Sequence, residues 1–98
     1  MKKMRNYKEH LFKRLQNPKA AAAYLNAALD DEDSNVFLIA LKDIAEANGG
    51  LSRLAKAADL NRESLYRTLS SRGNPRLHSL IAILHACNLN ISIRPAAA

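Results

Sequence analysis

One cysteine, three glycines and three prolines in 98 residues exclude several classes of protein. A lone Cys87 closes no internal disulfide and builds no cysteine-rich zinc site. So little glycine and proline leaves no room for a low-complexity linker. No apolar run approaches the roughly 18 to 20 residues that span a bilayer, and Met1 to Lys8 leads into polar helix instead of a signal-peptide core, so a cytoplasmic location is expected. Neither a Ser-His-Asp set, nor paired carboxylates, nor a phosphate-binding loop is visible, and an enzyme is not expected. What is present is an ordinary globular balance, 48% apolar and 24% charged, at a length that fills one hydrophobic core but not two.

The net charge of +6 is unevenly spread. Residues 1–20 carry +6, residues 21–50 carry −5, and the rest carry +5. Two basic ends therefore flank an acidic waist whose centre is Asp30-Asp31-Glu32-Asp33. Such segregation suits a polyanion at a basic end and a basic partner at the waist, although solvated helix faces account for the N-terminal lysines equally well.

Apolar residues spaced by three and four predict helices almost throughout. The first runs from Tyr7 to Gln16, with Leu11, Phe12 and Leu15 on one stripe, and is expected at the rim of the fold. Asn17-Pro18 opens a second helix ending near Leu29, because Asn caps free amides and proline at the first helical position loses no hydrogen bond. The acidic run then precedes a third helix, Asn35 to Asn48, where it complements the helix dipole. Asn48-Gly49-Gly50 ends that helix, since these residues tolerate the left-handed backbone. Three short helices follow, Leu51–Ala58, Arg62–Ser70 and Pro75–Asn88. Leu89-Asn90-Ile91-Ser92-Ile93 alternates as a strand does, and with no partner in the chain it is expected to pair across a two-fold dimer through Leu89, Ile91 and Ile93. The fold class expected is thus all-α, a compact helical bundle plus this short C-terminal strand. Residues 1–33 are expected to form a helical arm within one compact domain, 34–94 a helix-turn-helix DNA-binding region, and 95–98 a frayed tail.

The stretch from Leu51 to Leu69 reads as helix, tight turn, helix. Leu54, Ala58, Leu60, Leu65 and Leu69 can meet in a small core, Ala55 allows close helix approach, and Asn61 can cap the second helix. Arg62, Glu63, Ser64, Tyr66 and Arg67 then remain outside, a set rich in groups that hydrogen-bond base edges and phosphates in a major groove. Tyr66 could serve the core instead, but its place beside Leu65 favours exposure.

Here the sequence resembles the lambda-repressor-like helix-turn-helix domains, and more closely the antidote proteins of bacterial addiction (toxin-antitoxin) modules. The likeness rests on Ala22-Ala23-Tyr24-Leu25-Asn26-Ala27-Ala28-Leu29, Phe37-Leu38, Ala40-Leu41, Gly49-Gly50-Leu51-Ser52, the run Leu60 to Ser70, and Gly73-Asn74-Pro75, covering roughly residues 7 to 94. It implies a DNA-binding regulator that represses its own operon at a palindromic double-stranded operator and neutralises a small toxin. By motif position, Asn61, Arg62, Glu63, Tyr66 and Arg67 would face bases. Ser52, Arg53 and Lys56, with Arg72, Asn74 and Arg76 after the second helix, would lie near phosphates. Asp59 departs from the pattern, since many such proteins have glycine at this turn.

Two other functions stay open: a phage-type repressor without a toxin, and a protein-interaction module with a vestigial motif. No cofactor is expected. His78, His85 and Cys87 invite a metal reading, but three groups on one helix do not converge and Cys87 is expected in the core.

Overall fold

The computed structural model describes residues 2–70 and 74–97, the first four of them as backbone only. Among the described residues there are six helices and no strand: α1 (Lys2–Leu15), α2 (Pro18–Leu29), α3 (Asn35–Ala47), α4 (Gly50–Ala57), α5 (Arg62–Thr68) and α6 (Leu77–Ala86). None is long and apolar enough to cross a membrane.

Local chemistry sets most of these boundaries. The Asn17 side chain accepts a 2.8 Å bond from the Lys19 amide, and Pro18 takes the first helical position of α2. At α3, Ser34 makes no side-chain cap; the Asp33 carboxylate takes that part, accepting from the Asn35 amide at 2.9 Å. One duty of the acidic run is therefore structural. α3 ends as expected, with Gly49 and Gly50 at φ 109° and 90°, backbone that other residues rarely adopt.

α3 is the hub, packed against α1, α2 and α4, and its Leu41 and Ile44 are wholly buried. Leu15, Leu65, Leu69 and Ile83 close around them. Burial of each such side chain contributes about 1.5–3 kcal/mol relative to exposure. Polar links also hold the N-terminal helices to this hub. Gln16 Nε2 donates to the Ala47 carbonyl at 3.2 Å, and Tyr24 Oη donates to Asp43 Oδ2 at 2.8 Å.

Several expectations need correction. α1 begins five residues before Tyr7, where lysines support helix without supplying an apolar marker. It is also no rim element, because Leu11 and Leu15 are buried in the common core and Asn48 Nδ2 donates to the Leu15 carbonyl. α6 starts at Leu77, two residues after Pro75: Arg76 is still extended at ψ 149° and supplies the first helical carbonyl, to Leu80.

The C-terminal strand is absent from residues 89–93. Asn88 turns left-handed at φ 62°, its amide bonds to the His85 carbonyl at 3.0 Å, and the Leu89 amide bonds to the Leu84 carbonyl at 2.8 Å. This is a Schellman closure of α6, and it draws Leu89 into the chain's own core. Leu89 is thus not free to face a second subunit, whereas Ile91 and Ile93 are exposed.

Candidate nucleic-acid interface

α4 and α5 are joined by a turn through residues 58–61 that is closed at both ends. At the first end, the Leu60 amide bonds to the Ala55 carbonyl at 2.8 Å and the Asp59 amide to Lys56 at 3.3 Å, with Asp59 left-handed at φ 56°. The motif is the same one that ends α6. At the second end, Asn61 Oδ1 accepts from the amides of Glu63 and Ser64, at 2.8 and 3.2 Å. Its oxygen is thereby occupied as a cap, which leaves the Nδ2 group as what this side chain can offer a ligand.

Leu65, 1% exposed, and Leu69 fix α5 against the core, as Leu54 and Ala55 fix α4. Burying one side of a seven-residue helix determines what the other side shows. Residues 62 and 66, and likewise 63 and 67, are one turn apart, so Arg62, Tyr66, Glu63 and Arg67 form one continuous face. All four side chains are exposed.

The flanking positions expected near phosphates are exposed where they are described. Ser52, Arg53 and Lys56 on α4 are exposed, as are Asn74 and Arg76 ahead of α6. Arg53 also lies across Gly49: a Cβ added at that glycine would come within 2.5 Å of Arg53 Cδ, so the glycine leaves room for the arginine stem. Arg72 lies outside the described residues. Among the described residues of this part of the chain, five cations, Arg53, Lys56, Arg62, Arg67 and Arg76, thus stand exposed with Asp59 and Glu63 as the opposing charges. The arrangement presents a cationic, hydrogen-bonding convex helix.

Sequence reasoning missed Lys42. Its ammonium lies 5.3 Å from the centroid of the Tyr66 ring, a cation–π approach from α3 to the shoulder of α5. Lys8 on α1 joins Lys42, Tyr66 and Ser70 in lining a shallow cleft there. Nothing in the spacing of Lys8, Lys42 and Tyr66 signals this meeting, which depends on how α1, α3 and α5 pack. Cys87 is buried in the core as expected, and burial pushes its thiol pKa up.

The family model for probable addiction module antidote proteins matches residues 6–95. An uncharacterized protein of Haemophilus influenzae (strain Rd) is 37% identical over 71 residues, which cover 72% of this chain and 72% of that protein. No solved structure matches the chain. A match running from α1 through the turn and α5 into the C-terminal segment takes in nearly every residue described above, and the chain belongs to the family of probable addiction module antidote proteins.

Proposed function

We propose that this chain is a sequence-specific DNA-binding antitoxin: it represses its own operon through α4 and α5 and neutralises a small toxin encoded with it. The observation that carries the DNA half is the continuous exposed face of Arg62, Glu63, Tyr66 and Arg67, held in place by the Asn61 cap and buried Leu65 and flanked by cations. A helix of this kind fits the major groove, where each base pair shows its own donor–acceptor pattern. Arg62 and Arg67 suit guanine edges, while Ser52, Arg53, Lys56, Asn74 and Arg76 suit phosphates. One α5 reads one half-site. Two copies on a palindromic operator complete the reading, and Ile93, 92% exposed, is an apolar side chain available for cover in such a pair. The family membership supports the antitoxin half and favours it over a repressor without a toxin.

The test is a gel-shift titration on the promoter segment upstream of the chain's own reading frame, against a scrambled duplex of equal length. Specific, salt-dependent binding is expected. Binding that does not distinguish the two duplexes contradicts the proposal.

A further inference from the structure

The molecule carries a second candidate surface to which α4 and α5 contribute nothing. It is a groove of about 520 Å³ between the end of α2, the start of α3, α6 and the C-terminal segment. Leu25, Phe37, Leu80 and Leu84 form an apolar floor, with Leu29 and Ile91 along the edges. Leu29 is 61% exposed and Ile91 47%. Large aliphatic side chains this open, grouped around one concavity, mark a surface that gains by being covered.

The charges say by what. On a chain of net +6, the only charged side chains lining this groove among the described residues are acidic, Asp31 and Glu32. They belong to the Asp30–Asp33 run, so the side-chain charge at the rim is opposite in sign to the net charge of α4 and α5. The acidic rim disfavours a nucleic acid inside the groove, and Asn74, proposed above to meet phosphate, stands at its border. A second copy docking groove to groove would bring two such rims together, and like charges facing each other across an interface oppose association. The complementary occupant is an amphipathic segment of another protein that has aliphatic or aromatic anchors for the floor and lysine or arginine for the rim. Resting on the antitoxin reading, we propose that this groove is the docking site for the toxin, which inserts a basic, apolar-faced segment between α2 and α6.

The structural duty of Asp31 permits a clean variant. Asp31 Oδ1 accepts from the Asp33 amide at 2.8 Å, a bond that the amide oxygen of asparagine reproduces. Asp31→Asn combined with Glu32→Gln therefore removes the rim charge and keeps the turn. Leu29→Asn removes an exposed edge of the floor. The experiment uses the full chain and the purified product of the adjoining small reading frame, titrated calorimetrically at low and high salt, with operator gel shift and thermal melting as controls for folding. The double variant is expected to bind about fivefold to tenfold more weakly at low salt, with most of the difference gone at high salt. Leu29→Asn is expected to bind about tenfold more weakly at both.

If both variants bind within twofold of the wild type, the groove is not the site and the antitoxin reading stands. A wild-type chain that fails to bind the product overturns groove and antitoxin reading together. If the variants instead break a homodimer in analytical ultracentrifugation, the groove belongs to a second copy, and the proposal is overturned.

Discussion

The Lys42 ammonium on α3 lies over the ring of Tyr66 on α5, 5.3 Å from its centroid, and ties the central helix to the exposed face of the helix proposed to read DNA. At an exposed site such a contact contributes about 0.5–1 kcal/mol. Lys42→Gln is expected to lower stability in urea by about 0.5 kcal/mol, and to lower it by nothing measurable once Tyr66 is already alanine. Additive losses in this double-mutant cycle would show that the ammonium and the ring do not interact.

Arginines on α5 and the lysine on α4 are assigned different tasks, which binding data can separate. A well-made bidentate base contact discriminates by about 1–3 kcal/mol, whereas a phosphate contact contributes affinity without regard to sequence. Arg62→Ala and Arg67→Ala should each weaken binding to the operator more than to a scrambled duplex. Lys56→Ala should weaken both alike and reduce the steepness of the salt dependence by about one charge's worth. Equal losses on both duplexes for all three variants would falsify the division.

How far the sequence anticipates this arrangement varies from element to element, for identifiable reasons. α2 and α5 are readable because their caps are local: Asn17 with Pro18, and Asn61, act on amides two or three residues away. The outward face of α5 follows from those caps and from Leu65 and Leu69. The C-terminal segment misleads because Leu89-Asn90-Ile91 alternates like a strand, while Leu89 is in fact buried by the left-handed turn at Asn88 that closes α6. The start of α1 is hidden because Lys2 and Lys3 favour helix but carry no apolar stripe. Lys42 with Tyr66, and the groove under Leu29 and Ile91, join residues tens of positions apart, so only the packing of whole helices reveals them.

Tyr24 gives the fold a signature in alkaline solution. Burial first, then the hydrogen bond to Asp43 and its negative charge, push the phenol pKa from 10.0 up to about 12. The folded value lies above the unfolded one. The contribution is therefore fully present below pH 10 and is lost as the pH rises from 10 through 12, where the unfolded chain gives up the proton first. Tyr24→Phe removes the 2.8 Å bond to Asp43, and is expected to cost about 1 kcal/mol at pH 7 and to flatten the decline above pH 10. Urea melts of both proteins at pH 7, 9, 10 and 11 measure the difference, which should shrink at the highest pH. A constant gap across the series would mean that the phenol does not titrate differently in the two states.

Asp59 is the position where stability and DNA affinity should improve together. At φ 56° it holds a left-handed backbone that costs an L-residue about 1–2 kcal/mol, less for Asp than for most. Its conformation is not optional, because the bonds from the Asp59 amide to Lys56 and from the Leu60 amide to Ala55 both depend on the chain reversing there. Glycine adopts this backbone without strain, although the greater freedom of the unfolded chain offsets part of the gain. Asp59→Gly is expected to stabilise the protein by roughly 0.5 kcal/mol, and Asp59→Ala, which keeps the Cβ and tolerates a left-handed backbone less well than aspartate, to destabilise it by about 1 kcal/mol. Both changes remove a carboxylate close to the proposed phosphate path, so both should tighten binding to operator and scrambled duplex alike at low salt. Thermal melts rank the three proteins and gel shifts rank their affinities. If glycine melted below aspartate, the left-handed turn would not be the source of strain; if affinity were unchanged in both variants, the turn would lie away from the DNA.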